Sequence, residues 1–187
     1  MRKASLFVLT LLLVLSLVGF LVFAQNEPKR APSTAEERQR FISLTHKLEQ
    51  DPLDKSLYPE VKWAKKWLDD IPDVNVTVCA PFLFGVDFVR EENKYAAQLS
   101  YQATFAEGVY VIEHPDKKSD TTAQYIAGVE SALRAYSAIL KSEPGAKSKA
   151  LDELLEKQKQ GKLADFVRNA SKDCDDKKES SLKPQSK

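Results

Sequence analysis

Residues 121–140 read TTAQYIAGVESALRAYSAIL, and this stretch carries the clearest helical pattern in the chain. Asp120 or Ser119 precedes it and can cap the first turn of a helix. Gly128 and Ala132 lie within it, and their small side chains predict a closely packed neighbouring helix. The large apolar residues recur three and four positions apart, which places them on one face of an α-helix: Ile126, Val129, Leu133, Tyr136 and Leu140.

Five further segments show helical spacing, and together they predict the fold. Their predicted bounds are 34–50, 54–71, 93 or 94 to 113, 148–158 and 162–172. Ser33 or Thr34 can cap the first of these helices, and Gly161 is predicted to separate the last two as a C-cap. Residues 73–88 contain several β-branched side chains but have no second strand to pair with, so we expect a helical turn or an irregular run there. The predicted fold class is all-α, a compact bundle of about five to six helices joined by short loops.

The first 24 residues have the three parts of a secretory signal peptide. Arg2 and Lys3 precede an apolar run from Leu6 to Phe23, and Val22-Phe23-Ala24 supplies small residues at a cleavage site. An uncleaved membrane anchor is the alternative, because about 18 to 20 apolar residues can just span a bilayer. We expect an exported protein, periplasmic or secreted, that meets the membrane only through this segment if it is kept.

The rest of the chain divides by composition into three parts. Residues 25–33 are polar and contain proline, which predicts a flexible leader before a helical domain at 34–174. Residues 175–187 carry mixed charge and almost no apolar side chains, which predicts a disordered tail. Without Arg2 and Lys3, 26 of the 28 basic residues remain against 27 acidic ones, and this balance argues against a nucleic-acid binder.

The chain has two cysteines, Cys79 and Cys174, and both lie in the part that would be exported. Two lone cysteines in an oxidising compartment normally pair, so we expect a disulfide between them. Closing a loop of this length stabilises a fold by roughly 4 to 5 kcal/mol in the chain-entropy model. A reactive thiol or an intermolecular bridge is the alternative.

Candidate chemistry is sparse, and its best candidate is Glu113-His114-Pro115-Asp116. His114 could act as a base or metal ligand between two carboxylates, but no second histidine lies near it in sequence. The structural interpretation is a histidine at a helix C-terminus, followed by a proline that stops the helix. No serine lies in a Gly-x-Ser-x-Gly turn. We therefore expect no enzymatic activity, no cofactor and no metal.

Large aromatic residues offer a possible surface for a ligand or partner, although such sets more often form the core. The loop at residues 81–85, with Phe82 and Phe84, could be an exposed partner-binding tip or could plug the bundle beside Cys79. The candidates for this surface are Trp63, Trp67, Phe82, Phe84, Tyr101 and Tyr136.

Four stretches resemble a group of exported bacterial helical proteins to which no activity is attached. They are Asp73–Cys79, Ile112–Asp116, Ala127–Tyr136, and Leu163–Val167 followed by Cys174, and the similarity would cover about residues 35–174. The resemblance implies a location in the bacterial cell envelope and contributes no catalytic residues. The chain is also similar to small periplasmic helical domains with a disulfide, which implies no particular role.

These observations lead to three hypotheses for function. The first is a non-enzymatic envelope protein that binds a protein partner. The second is a binder of a small apolar ligand, suggested by Trp63, Trp67 and the tyrosines. The third is a metalloprotein or enzyme that uses Glu113, His114 and Asp116.

Overall fold

The helical spacing of the sequence corresponds to six α-helices in the part of the chain that the computed structural model describes, residues 30–77, 94–172 and 174. The predicted all-α fold class is confirmed over these ranges, which contain no β-strand. Short 3-10 turns at Lys55–Leu57, Pro115–Lys117 and Pro144–Ala146 join or precede helices. The helices are α1 (Ala35–Gln50), α2 (Tyr58–Asp70), α3 (Ala96–Glu113), α4 (Thr121–Ser142), α5 (Lys149–Lys159) and α6 (Leu163–Ala170).

Several predictions concern residues outside these ranges: the signal segment, most of the leader, Cys79, Phe82, Phe84 and the tail. The chain divides into two units, residues 1–31 and 32–187, and every helix named above belongs to the second. Among the described residues, none of the helices combines the length and the apolar character needed to cross a bilayer.

The helix starts follow capping chemistry. Thr34 accepts a hydrogen bond from the Glu37 backbone N–H at 3.2 Å, and the Glu37 side chain accepts one from the Thr34 N–H at 3.0 Å. This reciprocal pair is a capping box, which satisfies two of the donors that a helix start leaves unpaired. Asp120 caps α4, as its position before the apolar pattern predicted, whereas Ser148, the first residue of the predicted helix 148–158, is the cap of α5.

Two predicted helix starts are displaced in the structure. Asp54 caps the 3-10 turn Lys55–Leu57 rather than α2, which begins at Tyr58 with Pro59 in its first turn. α3 begins at Ala96, two to three residues later than predicted. Gly161, with φ of 69°, separates α5 from α6 as predicted, because a left-handed residue ends a helix and glycine adopts it without strain.

α3 and α4 form the most extensively packed pair of helices. Ser131 lies beside Gln102, while Gly128 lies beside Ala103 and Glu107, so the two helices run antiparallel. A Cβ on Gly128 would lie 3.0 Å from the Ala103 carbonyl oxygen. The close approach predicted from Gly128 is therefore confirmed.

The core consists of two clusters of buried side chains that share α3. The first cluster joins α1, α2 and α3, and its largest members are Phe41, Trp67 and Phe105. The second joins α3 to α4, α5 and α6. Cys174 packs against this second cluster and is half-buried, whereas its predicted partner Cys79 lies outside the described residues.

Candidate functional site

A cleft of about 570 Å³ lies among α1, α2 and the first half of α3, and we call it the α1–α3 cleft. Leu48, Val61 and Tyr101 contribute apolar surface to it, one from each helix. Tyr101 packs on the buried ring of Phe105, with ring centroids 6.4 Å apart, and also lines the cleft. The volume falls in the range of about 300–1,000 Å³ typical of small-molecule sites.

Charged side chains of α2 also line this cleft. The Lys65 ammonium donates a hydrogen bond to the Tyr101 hydroxyl at 2.7 Å and lies 4.0 Å from the centroid of its ring. Lys66 pairs with Asp70 at 2.8 Å, one helical turn away. Lys62 also lines the cleft and makes no ion pair with the described residues. The lining therefore combines apolar surface with ammonium groups that retain hydrogen-bonding capacity.

Gln102 connects the cleft to the core. Its side chain is 2% exposed, and its amide donates to the Thr45 carbonyl at 3.0 Å and to the Ser131 hydroxyl at 2.7 Å. These two donated bonds fix the orientation of the amide, and its Oε1 has no hydrogen-bond partner among the described residues. A buried acceptor therefore lies in a residue that lines the cleft.

Ser131, which accepts the hydrogen bond from Gln102, also contacts an ion pair between Glu49 and Arg134. Ser131 donates to Glu49 at 2.5 Å, and Arg134 donates to both carboxylate oxygens of Glu49 at 2.8 and 3.0 Å. Burial opposes ionisation of Glu49, but the hydrogen bonds from Arg134 and Ser131 outweigh it and lower its pKa. Glu49 is therefore held as a carboxylate with its charge compensated.

Glu107, one and a half turns along α3 from Gln102, is a second buried polar group. It is 0% exposed, and neither carboxyl oxygen has a hydrogen-bond partner among the described residues. Burial raises its pKa from 4.5 to about 8, and no charged side chain contributes to the change. At neutral pH the side chain is therefore mainly a neutral carboxylic acid.

The predicted His114 group is arranged as a helix terminus. His114 Nδ1 lies 3.1 Å from the Tyr110 carbonyl oxygen, which can only accept, so the Nδ1–H tautomer donates this bond. The imidazole stacks on Tyr110 with ring centroids 4.4 Å apart. Glu113 and Asp116 are exposed, and no three metal-binding side chains converge among the described residues.

The predicted aromatic surface separates into core and cleft residues. Trp67 and Tyr136 are each 1% exposed, and Tyr136 donates to Asp152 at 2.9 Å. Trp63 is half-buried between Trp67 and the Arg40 guanidinium, which lies 3.9 Å from its ring centroid. Of the described candidates, Tyr101 lines the α1–α3 cleft.

Lys62, Lys65, Gln102 and Glu107 were not among the residues predicted from the sequence. A signal for Glu107 was present, because it is the single charged residue between Ala96 and Ile112. Comparison of the chain with known proteins finds no matching family, and neither a curated protein nor a solved structure matches it. What the site can do must therefore be inferred from its own side chains.

Proposed function

We propose that this chain is an exported, non-enzymatic protein of the bacterial cell envelope that binds a small amphiphilic molecule in the α1–α3 cleft. The observation that supports this function best is the lining of the cleft, where apolar side chains from three helices lie beside three lysines. Such a lining suits a ligand with an apolar body and an acidic group.

The apolar body would lie against Leu48, Val61 and Tyr101. Burying apolar surface is worth roughly 25 cal/mol per Å², so contact with these side chains favours binding, and part of that gain offsets the loss of translational and rotational freedom. Gln102 supports this surface from within the core, because its amide is fixed by Thr45 and Ser131.

The acidic group would lie beside Lys62 and Lys65. Asp69 and Asp70 also line the cleft, but Lys66 compensates Asp70, so the balance of charge at the lining is positive. Lys65 uses one of its three N–H donors on Tyr101 and can offer the others to a carboxylate, sulfonate or phosphate.

A binding role is favoured over catalysis by the residue types at the cleft. Its described lining contains lysine, tyrosine, glutamine and aspartate but no histidine, cysteine or serine.

Export and the Cys79–Cys174 disulfide belong to the same proposal. They are supported by the signal-like segment 1–24 and by the position of Cys174 against the second core cluster.

The test uses the dye 1-anilinonaphthalene-8-sulfonate, which has an apolar aromatic body and one sulfonate. Ala97 is exposed and lines the cleft, so Ala97→Trp fills the cleft without entering the core. Ala35→Trp, at the exposed first residue of α1, is the matched control. We expect saturable fluorescence with wild type and the control, and a Kd raised by about tenfold or more in Ala97→Trp.

Lys62→Glu tests the charge requirement in the same titration. We expect it to weaken binding of the sulfonate and to leave a neutral analogue of the dye unaffected. Equal Kd values for wild type and Ala97→Trp, or no saturable binding by wild type, would contradict the proposal.

A protein partner is the second candidate occupant, favoured by Tyr58. This side chain is 52% exposed at the cleft, and aromatic residues are enriched in protein interfaces. A photo-crosslinking amino acid at position 58 in the native envelope should then give a discrete protein adduct. The adduct must disappear when Ala97→Trp is added, and its persistence would contradict docking in the cleft.

A further inference from the structure

Glu107 occupies the centre of the α3–α4 interface. A Cβ on Gly128 of α4 would lie 3.1 Å from both Cγ and Oε1 of Glu107. The missing side chain at position 128 therefore makes room for a carboxyl group between two helices. This interface is the most extensive one in the described part of the fold.

The environment of Glu107 suits a neutral acid and opposes a carboxylate. Both of its oxygens lack hydrogen-bond partners among the described residues, and the side chain is inaccessible to solvent. An isolated buried charge is far more costly than a buried neutral polar group, so such a group normally keeps or takes up a proton.

The neighbouring helices provide no compensating charge. Burial is the sole cause of the raised pKa of Glu107, and Glu49 and Arg134, which contact Ser131 of α4 or lie on that helix, compensate each other. Asp116 and Lys117, in the 3-10 turn after α3, are exposed. The buried residues of α1 and α4 along this interface include one titratable group, Tyr125, together with Phe41, Leu44, Thr45, Gln124 and Ser131.

We propose that Glu107 is a proton-operated latch for the packing of α3 against α4. With its proton, the side chain packs as a neutral group against Gly128. When it releases the proton to solvent, the carboxylate requires hydration and loosens the two helices. An exported protein is exposed to the pH of its surroundings, so the latch responds to alkalinity, and this last point alone rests on the proposed location.

The first test compares the pH dependence of stability in three proteins. Glu107→Gln keeps the shape of the neutral acid and removes the titration, while Glu113→Gln makes the same change at an exposed position of α3. Between about pH 5.5 and pH 7.5, the unfolding constant of wild type should rise about tenfold per pH unit relative to Glu107→Gln. Glu113→Gln should follow wild type, and parallel curves for wild type and Glu107→Gln would overturn the proposal.

The second test measures the loosening itself. Amide hydrogen exchange is compared between wild type and Glu107→Gln at one pH at a time, so that the intrinsic exchange rates cancel. Above about pH 8 we expect amides of Ala103–Val111 and Tyr125–Ala132 to exchange faster in wild type than its unfolding constant accounts for, and near pH 6 to exchange no faster than that constant accounts for. Equal exchange at alkaline pH would overturn the loosening.

An infrared difference spectrum of wild type provides a test that does not depend on the folding of Glu107→Gln. The carbonyl stretch of a protonated carboxylic acid should be present at neutral pH and disappear in alkaline buffer, both in wild type and in Glu113→Gln. If wild type lacks this band at neutral pH, Glu107 is already ionised there and the latch does not exist.

Discussion

At the residue scale, Asp73 joins two segments that are distant in sequence. Its Oδ1 accepts a hydrogen bond from the Ser33 backbone N–H at 2.8 Å, and its Oδ2 accepts one from the Ser33 hydroxyl at 2.7 Å. Ser33 is 8% exposed, so water does not readily replace these bonds. The carboxylate thereby links the residue before the cap of α1 to the segment that follows α2.

Asp73→Asn should destabilise the fold by about 1–3 kcal/mol at neutral pH, because one buried donor of Ser33 loses its acceptor. Urea unfolding measures this change, and Asp116→Asn, at an exposed aspartate, should stay within about 0.5 kcal/mol of wild type. Burial tends to raise the pKa of Asp73, but the hydrogen bonds from Ser33 lower it below its usual 3.8.

The sign of the pH dependence follows from that lowered pKa. The stabilising contribution of Asp73 is fully present above the unfolded-state value and is lost as the pH falls through the folded-state value. The difference between wild type and Asp73→Asn should therefore shrink in strong acid. If the stability difference stays constant in acid, the hydrogen bonds from Ser33 do not depend on the ionisation of Asp73.

The contribution of Glu107 to stability depends on pH in the opposite direction. Its pKa is raised by burial from 4.5 to about 8, so the folded state keeps a proton that the unfolded chain releases. The stabilising contribution of Glu107 is fully present below its unfolded-state pKa and declines as the pH rises. Once the pH exceeds both pKa values, the fold has lost about 4–5 kcal/mol of stability. A domain has about 5–15 kcal/mol in total, so one buried carboxyl can control its stability in alkali.

At the element scale, the contact between α3 and α4 depends on Gly128. Gly128→Ala gains about 1 kcal/mol of helix propensity, but its Cβ would lie 3.0 Å from a backbone carbonyl that cannot move independently of α3. Overpacking of this kind costs about 1–3 kcal/mol, so we expect a net loss of stability.

Gly145→Ala is the control for that substitution. No atom lies within 4 Å of a Cβ built at position 145, so this change should be neutral or slightly stabilising. Thermal unfolding of both variants makes the comparison. Two variants of equal stability would mean that α3 and α4 can separate slightly at Gly128 without cost.

The elements were more predictable from the sequence than the site. Thr34 and Asp120 identified helix starts because a cap is satisfied within a few residues. By contrast, α3 is apolar on most of its circumference, so its periodicity does not indicate which side each neighbour covers. The burial of Gln102 and Glu107 depends on where α1 and α4 pack, which is not a local property.

The α1–α3 cleft was also difficult to predict, because it too depends on how the helices pack. Lys62 and Lys65 look like ordinary solvated positions along α2, and they acquire a role in the cleft when Tyr101 of α3 lies beside them. Tyr101 was predicted as a candidate because large aromatic residues are conspicuous in a sequence. Lysines of an amphipathic helix are not, since most of them only face water.

At the scale of the whole molecule, α3 connects the two core clusters. It contributes Phe105 and Val109 to the first cluster and Leu99 and Ala103 to the second. Ala97, Gln98, Tyr101 and Gln102, which line one side of the cleft, and the buried Glu107 lie on this same helix. A change that loosens α3 should therefore affect both clusters, and unfolding should remain a single cooperative transition.

The predicted Cys79–Cys174 bridge would act at this scale as well. Cys174 follows α6 and packs against the second cluster, so a covalent link to residue 79 would tie the last helical turn to the segment between α2 and α3. A bridge of this span restricts the unfolded chain, and its loss should cost about 2–5 kcal/mol.

The double variant Cys79→Ser with Cys174→Ser tests the bridge without leaving a reactive thiol. We expect reductant to lower the stability of wild type to that of the double variant, and to leave the double variant itself unchanged. Alkylation and intact mass of protein purified from its native compartment without reductant should show no modified cysteine. If both sulfurs are alkylated there, or if reductant leaves the stability of wild type unchanged, the bridge does not form.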